Sequence, residues 1–403
     1  MVGWLSWLKA PLSKSGKGAS PSRVRISLPP PIFNFTTNNY QVPSMKYQSI
    51  KLPEDNLPHK SIIEWWYLNG HLKDERGQSY AFMNCLFKAD IRKVNIPFLN
   101  KLSFKKNFPS WPYIYFSQAI ISNLRSQKIY RDIQPLVLIS ADSFSRPLLF
   151  VNYHNLKSPH IADTLTETRP GQFHLKNKNL DLKLSSQKPP LLEGGKGWIA
   201  LGRHQSYYYS LTDLSAQGSL TIDSKKVKVK GRVWFDHQWA NVPYHKNKWS
   251  WFSLQLDNGT DLLCVEYNTG KNKGCLVDLI DKKNRSRHYK KLILTPGQDT
   301  WLSPKTKAQY PLSWQIEVPA GKIKLKISAS LANQEIIFGS INYWEGPIKV
   351  RGTINNQVVK GVGFMELVGY PSDYNYLFLV GQEINKKIRQ RFAAKLNKLK
   401  QTL

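Results

Sequence analysis

The feature that most constrains the fold of this 403-residue chain is a long series of short alternating runs between Ser61 and Gln382. Apolar and polar residues alternate with a period of two, and turn signals separate the runs at spacings of roughly 8–12 residues. The turns include Asp257-Asn258-Gly259 and Asn355-Asn356. Few windows show helical periodicity. The sequence therefore predicts an all-β protein built as a sandwich or as barrels.

The length of this β region favours two domains over one. Roughly 320 residues are too many for one small barrel, since a domain has on the order of 150 residues. The expected organisation is a basic, mostly irregular segment over 1–45, an N-terminal β-domain over 46–241 and a C-terminal β-domain over 242–383. The last segment, 384–403, is predicted as a short basic amphipathic helix, because apolar residues recur there every three or four positions.

The net charge is the strongest indication of a partner. The chain has 58 Lys and Arg against 27 Asp and Glu, a formal charge of +31, which favours an anionic partner. Fourteen of the basic residues lie in two acid-free segments, 1–53 and 384–403. The first has a Trp-Leu tip and the second an apolar stripe, so we expect an anionic membrane surface as the partner. A helix packed on the barrel is the alternative for the second segment. Nucleic acid is not expected, because no recognition motif accompanies the charge.

Other sequence features bear on location and chemistry. No apolar run is long enough for a transmembrane helix. The three cysteines form no CxxC pair and are predicted as buried free thiols, and the N-terminus is a poor secretory signal. We therefore expect a cytoplasmic protein that associates peripherally with membranes. The P-loop, GxGxxG, HExxH and GxSxG motifs are all missing, so we expect no nucleotide, no metal and no other cofactor.

Aromatic and acidic residues cluster on a predicted strand at Glu64-Trp65-Trp66-Tyr67. Alternation places Glu64 and Trp66 on one face of this strand and Tyr67 on the other. Large aromatic groups on both faces suit a barrel wall that packs on one side and contacts a ligand on the other. Simple filling of a hydrophobic core is the alternative, because Trp and Tyr are common core residues.

A second cluster, Phe235-Asp236-His237 followed by Trp239, has the same character. His237 and Trp239 share a face of the predicted strand, and Asp236 points the other way. A histidine beside a tryptophan on an apolar face is either a satisfied core residue or part of a site. The sequence leaves both interpretations open.

A third cluster flanks Asn258-Gly259, a strong signal for a two-residue hairpin turn. Counting back from that turn pairs Trp251 with Glu266. A carboxyl group opposite an indole would be partly desolvated and would keep its proton, as a general acid requires. A surface glutamate that is shielded by Trp251 is the alternative.

A fourth cluster combines Tyr343-Trp344-Glu345 with a later strand that contains Glu366. If Asn355-Asn356 is a two-residue turn, Glu345 lies directly opposite Glu366. Two facing carboxylates repel each other, so one of them should hold a proton or a cation should lie between them. This pair is a second candidate for a proton donor.

Taken in order, these motifs resemble the carotenoid 1,2-hydratases, or hydroxyneurosporene synthases, and their lipocalin-like relatives. The matching segments are Glu64-Trp-Trp-Tyr67, Tyr207-Tyr-Tyr-Ser210, Gly231 to Trp239, Trp251 to Gly259, Tyr343-Trp-Glu-Gly346 and Glu366-Leu-Val-Gly-Tyr370. The resemblance implies two lipocalin-like antiparallel β-barrel domains. It also implies proton-initiated addition of water to a terminal isoprenoid double bond without a cofactor.

The resemblance also implies roles for individual residues. His237 and Trp239 would be site residues, and Glu266 would match the proton donor. Protonation of an alkene creates a carbocation, which aromatic faces stabilise by ~2 kcal/mol each when desolvated. We therefore expect Glu266 as acid, His237 or Asp236 as the base that orients water, and aromatic and acidic residues that bind a carotenoid-like isoprenoid: Trp239, Trp251, Trp66, Tyr67, Glu64, Tyr343, Glu345 and Glu366.

Two other functions remain open for the same fold. One is a non-catalytic lipocalin-like protein that binds a lipid or pigment, and the other is a cyclase or isomerase.

Overall fold

The computed structural model describes residues 47–93, 112–156, 158–201, 204–241, 248–268, 273–338 and 341–375. Structural statements below concern these residues. The predicted N-terminal segment over 1–45 and the predicted C-terminal helix over 384–403 lie outside them. No helix in the described part of the chain has the length and apolarity needed to cross a membrane.

The described residues form 24 strands and a few single-turn 3-10 helices. The strands are β1 (Ile63–Asp74), β2 (Ser79–Asp90), β3 (Tyr113–Asn123), β4 (Ile129–Ile139), β5 (Phe150–Asn155), β6 (Ala162–Arg169), β7 (Gln172–Lys176), β8 (Leu180–Ser186), β9 (Leu191–Leu192), β10 (Trp198–Leu201), β11 (His204–Ile222), β12 (Lys225–Ala240), β13 (Lys248–Leu256), β14 (Asp261–Asn268), β15 (Lys273–Ile280), β16 (Ser286–Tyr289), β17 (Ile293–Pro296), β18 (Thr300–Leu302), β19 (Gln309–Pro311), β20 (Ser313–Val318), β21 (Ile323–Ala329), β22 (Glu335–Phe338), β23 (Ile341–Ile354) and β24 (Gln357–Val368).

Ten antiparallel strands close into a barrel. Their order is β11-β12-β1-β2-β3-β4-β5-β6-β7-β8, and β8 pairs back with β11. Alternate residues of β1 and β12, including Trp66, Leu68 and Phe235, point inward and form its apolar core. The all-β prediction is confirmed, and this part of it is a barrel.

The second part of the fold is another antiparallel sheet. Its order is β16-β15-β14-β13-β24-β23-β21-β20-β17, with β22 on β23. The described ends of this sheet, β16 and β17, do not pair with each other, so it is an open sheet with its own apolar core around Phe252, Ile316 and Trp344. The chain passes from one sheet to the other between Ala240 and Lys248. The exact domain boundaries stay a prediction.

The outer face of the barrel packs against the second sheet. A third apolar cluster, which includes Tyr67, Trp234 and Phe364, fills this contact. Polar contacts fix its alignment: the Asn69 side chain donates to Ser253 Oγ at 3.2 Å. The alternation predicted for β1 is therefore used on both faces, one for the barrel core and one for the contact between the sheets.

The register predicted for the hairpin of β23 and β24 is confirmed. Glu345 lies directly opposite Glu366 in the ladder. Both residues of the intervening turn, Asn355 and Asn356, have positive φ angles of 49° and 65°. Positive φ at both central residues is what a two-residue type I′ turn requires.

The register predicted for the hairpin of β13 and β14 is wrong by one residue. Trp251 pairs with Val265, and Glu266 pairs with Ser250. The Gly259 N–H donates to the Leu256 carbonyl at 3.2 Å, and the Leu256 N–H donates to the Thr260 carbonyl at 2.9 Å. The loop therefore has three residues and ends in a left-handed glycine, which shifts the register by one.

Candidate active site

Polar and aromatic residues form two clusters on opposite faces of β1 and β12. Glu64 pairs with Trp239 in the ladder, and Tyr67 pairs with Asp236. Because neighbouring strand residues point to opposite faces, each motif contributes to both clusters. We call the first the interior cluster (Glu64, Lys88, His59, His237, Trp66 and Trp239). We call the second the inter-sheet cluster (Tyr67, Tyr208, Asp236, Trp251, Glu345 and Glu366).

Glu64 is the centre of the interior cluster and is fully buried. Lys88 Nζ donates to its Oε2 at 2.5 Å. His59 Nδ1 and His237 Nε2 lie 2.9 Å and 3.0 Å from its Oε1. Burial acts to raise the pKa of Glu64, but the Lys88 charge and the two histidine contacts outweigh it and hold that pKa well below its usual range. Glu64 is therefore an ionised carboxylate whose two oxygens are contacted by Lys88, His59 and His237 instead of water.

Stacked rings enclose this carboxylate. The His59 ring lies flat on Trp239 at 3.8 Å between centroids, and Trp66 stacks on His237 at 5.0 Å. Burial lowers the pKa of His237 to about 4, against the opposing effect of Glu64. The neutral imidazole is thus held in a packed core. The structure brings together Glu64, Trp66, His237 and Trp239 as a closed group, in which the buried His237 Nδ1 has no hydrogen-bond partner among the described residues.

The interior cluster is also where the described residues could hold a metal ion. Donor atoms of His59, Glu64 and His237 all lie within 4.8 Å of one another. Two imidazoles and a carboxylate are ligands for several transition metals. The Lys88 ammonium on Glu64 adds positive charge at that place and would have to move away. The residues therefore do not favour a metal, and none is included in the mechanism below.

In the inter-sheet cluster, Glu345 faces a second acid, Glu366, whereas Glu64 in the interior cluster faces a lysine. Tyr67 donates from its hydroxyl to Glu345 Oε1 at 2.6 Å, and Trp249 Nε1 donates to Glu366 Oε1 at 2.7 Å. The other oxygen of Glu345 has no N–H or O–H donor among the described residues. Burial and then the facing Glu366 charge raise the pKa of Glu345 well above its usual range. The pair therefore holds a proton.

Asp236 is the third acid of the inter-sheet cluster. It accepts from the Tyr208 hydroxyl at 2.8 Å and from Trp234 Nε1 and Ser210 Oγ at 2.6 Å each. Burial raises the pKa of Asp236 to about 7 in spite of these donors. Asp236 therefore changes between its acid and base forms near neutral pH, as a general acid or base does.

Trp251 lies between these two acid groups. Its Nε1 donates to the Tyr208 hydroxyl at 3.0 Å. Its ring meets the Tyr67 ring edge-on, with 5.5 Å between centroids. Tyr343 extends the cluster and donates to Gln118. Aromatic groups thus stand next to both Glu345 and Asp236, and the ion pairs found among the described residues include neither of these two acids.

Glu266, the acid expected from the resemblance, lies in neither cluster. Its side chain is 31% exposed and is paired with Lys273 at 3.3 Å. Its neighbours on the same face of β14, Leu262 and Cys264, belong to the core of the second sheet rather than to the contact with the barrel. The one-residue shift of the hairpin is the physical reason for this placement.

Sequence reasoning missed Tyr208 of the inter-sheet cluster and several residues around that cluster. Tyr208 and Ser210 were part of a noted motif, and alternation along β11 could have placed both on the face of Asp236. Trp249 precedes the predicted strand motif by two residues and shares its face. Glu193, which accepts from Ser210, and Asp278, which accepts from Gly194, have no local sequence signal, because long-range packing brings them together.

These observations define an all-β protein in which the contact between a barrel and a second sheet buries protonated carboxyl groups among aromatic rings. The chain belongs to the AttH-like family, whose model matches residues 43–370. This finding agrees with the family resemblance noted in the sequence.

Relatives and solved structures of similar fold include enzymes that add or remove water. The chain is 26% identical over 216 residues to the kievitone hydratase of Fusarium solani subsp. phaseoli, covering 51% of this chain and 61% of that protein. It is 23% identical over 222 residues to the dehydratase asqC of Emericella nidulans, covering 51% of this chain and 62% of that protein. The matches thus span less than two thirds of either relative.

Solved structures share the fold over most of the chain. A Nitrosomonas europaea protein described as an AttH has a TM-score of 0.61 and 22% identity, with 82% of this chain and 99% of that chain covered. Kievitone hydratase from Nectria haematococca also has a TM-score of 0.61, with 17% identity, 79% of this chain and 93% of that chain covered. At these identities the likeness establishes the fold.

Proposed function

We propose that this protein is a hydratase or dehydratase that adds water to, or removes it from, a carbon–carbon double bond without a cofactor. The observation that carries the proposal is the pair of the buried Glu345 with the facing Glu366, which holds a proton beside Tyr67 and Trp251 and has no cationic neighbour among the described residues. The hydratase and dehydratase among the relatives support the same class of reaction.

The first step of hydration is proton transfer from Glu345 to an alkene carbon. A carboxyl group with a raised pKa stays protonated as a neutral acid, and the Tyr67 hydroxyl donates to the Glu345 carboxylate that the transfer leaves. The second carbon becomes a carbocation. The faces of Tyr67 and Trp251 stabilise a desolvated cation by about 2 kcal/mol each.

The second step is attack of water on the cation. Asp236, through the Tyr208 hydroxyl at 2.8 Å, accepts the proton that the attacking water loses. One proton thus goes from Glu345 to carbon, the hydroxyl group goes to the other carbon, and one proton goes to Asp236. Dehydration follows the same steps in reverse, with Asp236 as the acid for the leaving hydroxyl.

We further propose an apolar isoprenoid, such as a carotenoid-like polyene, as substrate. The resemblance to carotenoid 1,2-hydratases motivates this choice. The partly buried Trp65, Trp249 and Val368 pack around the inter-sheet apolar cluster, and Glu366 is partly exposed beside them. An apolar rim around a half-open acid pair is where an unsaturated hydrocarbon chain would make favourable contact.

The experiment compares Glu345→Gln with Glu266→Gln in assays of isoprenoid substrates in H2(18)O, with products detected by mass spectrometry. General acid catalysis contributes roughly 10²- to 10⁴-fold, so Glu345→Gln should lose that much activity while substrate binding is kept. Glu266→Gln should stay active. The opposite result would make Glu266 the acid. A ligand that co-purifies and is never converted would favour a binding protein, and a cyclised product without (18)O would favour a cyclase.

We also propose that an anionic membrane surface is where the protein meets such a substrate. Lys226, Lys228 and Lys230 are exposed in a row on the outer face of β12. Lys230 and Lys183 line two adjoining grooves of about 770 and 740 Å³. Each basic residue near an anionic surface contributes about 1 kcal/mol.

Vesicle co-sedimentation tests this membrane contact. Replacement of Lys226, Lys228 and Lys230 by Glu should release the protein from anionic vesicles. The matched control changes three exposed lysines of the second sheet, Lys324, Lys326 and Lys349, and should retain most binding. Equal loss in both variants would mean that only net charge matters. Stronger binding to competing duplex DNA would contradict the membrane assignment.

A further inference from the structure

The inter-sheet cluster continues from Asp236 towards the surface through a series of hydrogen-bonding groups that the reaction steps above do not use. Ser210 Oγ is 2.6 Å from Asp236 Oδ1 and also 2.6 Å from Glu193 Oε1. A hydroxyl group has one hydrogen and can donate to only one of these carboxyl groups. The other must therefore be protonated and donate to Ser210, so this series of groups already holds a proton.

The next group along the chain is Glu193, in the 3-10 turn Glu193–Gly195. It is fully buried, and its Oε2 has no N–H or O–H donor among the described residues. The carboxyl group of Asp278 lies close to Glu193, because the next residue, Gly194, donates its N–H to Asp278 Oδ2 at 2.9 Å. Burial and the Asp278 charge both raise the pKa of Glu193 well above its usual range. A proton shared between the two acids accounts for the oxygen that lacks a conventional donor.

Asp278 connects this series of hydrogen-bonding groups to the surface. The Gly194 N–H donates to its Oδ2 at 2.9 Å and fixes the carboxyl group, which is 1% exposed. Its Oδ1 is 2.9 Å from Nδ1 of His288 on β16. The His288 side chain is 31% exposed, so its ring meets solvent. An imidazole can accept a proton at one nitrogen and release another from the second nitrogen.

A structural role explains only part of this arrangement. The Gly194–Asp278 bond ties the turn after β9 to the second sheet. That tie needs neither Ser210 nor a protonated Glu193. Buried acids are usually paired with a cation, because an unpaired buried charge is costly. Here three acids follow one another, Asp236, Glu193 and Asp278. The Ser210 hydroxyl joins the first two, and the His288 imidazole ends the series at the surface. All of these groups can pass a proton.

We propose that His288, Asp278, Glu193, Ser210 and Asp236 form a proton relay between solvent and the inter-sheet cluster. This proposal rests on the proposed function, because hydration leaves on Asp236 a proton that must reach water before the next turnover, while Glu345 must regain from water the proton that it gave to the substrate. Each transfer breaks one O–H or N–H bond and forms the next, so one proton leaves at His288 for each one accepted at Asp236. In dehydration the net flow is reversed. The four residues beyond Asp236 act through it and are positioning residues.

The first test needs no substrate. Infrared spectroscopy follows the C=O stretch of protonated carboxyl groups while the protein is transferred into D2O, and the Asp236 contribution is identified by its loss in Asp236→Asn. Exchange of this band should slow by about tenfold or more in Ser210→Ala and in His288→Gln, since each removes one transfer step. Added imidazole should restore the rate in His288→Ala, which a merely structural role of His288 would not allow.

The chain offers a matched control in His174. Its Nε2 is 2.8 Å from Asp181 Oδ1, and its side chain, at 35% exposed, is about as exposed as that of His288, but its partner Asp181 is 41% exposed and lies outside the relay. His174→Gln should leave the exchange rate unchanged. Equal exchange rates in the wild type, Ser210→Ala and His288→Gln would overturn the relay.

Turnover provides a second and separate measurement. His288→Gln should lower kcat by about tenfold with little change in KM, because substrate contacts are untouched and proton transfer becomes slow. Slow carboxyl exchange in a protein without hydratase activity would leave the relay standing and contradict the proposed function. Unchanged exchange and unchanged kcat in an active hydratase would contradict the relay alone.

Discussion

Glu64 and Glu345 are two buried glutamates that face different partners. Glu64 in the interior cluster has the Lys88 ammonium at 2.5 Å, whereas Glu345 in the inter-sheet cluster has the Tyr67 hydroxyl and a second carboxyl group. The lysine helps to hold the first glutamate ionised, and its absence leaves the second neutral. Burial alone therefore does not decide the role of an acid here. The nearest charge separates an ionised carboxylate from the proposed proton donor.

Among the changes that test this difference between Glu64 and Glu345, removal of Lys88 should cause the largest loss of stability. Lys88→Met leaves the Glu64 carboxylate buried without its cation, which should lower the free energy of unfolding by about 3–5 kcal/mol. Urea unfolding measures this loss. The double variant Glu64→Gln/Lys88→Met should recover most of it, since no buried charge is then left unpaired. Glu345→Gln should not destabilise comparably, and a similar loss there would contradict the claim that Glu345 is neutral.

The second largest effect is expected in the pH dependence of stability, to which Asp236 of the inter-sheet cluster should contribute. Asp236 has a folded pKa of about 7, above the usual value of an aspartate, so between roughly pH 4 and 7 the folded state binds more protons than the unfolded state. The stability that Asp236 contributes is complete below about pH 4 and is lost as the pH rises through 7. At ~1.4 kcal/mol per unit, the loss is on the order of 2–4 kcal/mol.

Urea unfolding at pH 5 and pH 8 checks this sign. The wild type should be less stable at the higher pH, and Asp236→Asn should lack that component of the change. Glu345 and Glu193, whose pKa values are also raised, should add to the loss at higher pH in both proteins. An identical pH slope in wild type and Asp236→Asn would show that Asp236 does not titrate in this range.

The two hairpins show how far sequence reasoning reaches. Asn355-Asn356 and Asn258-Gly259 are both strong turn signals, and the same two-residue assumption gave the correct register for Glu345 and the wrong one for Glu266. The second loop takes one more residue because only Gly259, and not Asn258, has a positive φ. Loop length depends on this backbone choice, which composition does not reveal.

Alternation predicted correctly that Tyr67 and Asp236 point away from Trp66 and His237, because period two is a local property of a strand. It could not show that the second sheet packs on the outer face. The contacts of Lys88 with Glu64 and of Glu193 with Asp278 depend on which strands and turns become neighbours. Such pairings follow from the tertiary fold rather than from local pattern. The class of fold was therefore predictable, and the division into two clusters was only partly so.

A smaller loss of stability is expected from substitutions in the Asn355-Asn356 turn, which places Glu345 opposite Glu366. Asn355 and Asn356 both occupy the left-handed region, which costs most other residues about 1–2 kcal/mol each. Asn355→Ala/Asn356→Ala should therefore destabilise by about 2 kcal/mol, and Asn356→Gly should be close to neutral. Thermal unfolding and hydratase assays measure both effects. Full activity in the Ala double variant would show that other contacts suffice to hold Glu345 opposite Glu366.

The smallest change in stability and activity is expected from substitution of Glu266. This glutamate lies outside both clusters and serves as an exposed reference for Glu64 and Glu345. Its carboxylate is 31% exposed, and its partner Lys273 is 67% exposed, so solvent screens the pair. Exposed ion pairs of this kind contribute about 0–1 kcal/mol. Glu266→Gln should therefore change stability by less than about 0.5 kcal/mol and activity by less than about threefold. A loss of activity as large as that of Glu345→Gln, with unchanged stability, would mean that exposure and a neighbouring cation do not prevent a glutamate from serving as the acid in this fold.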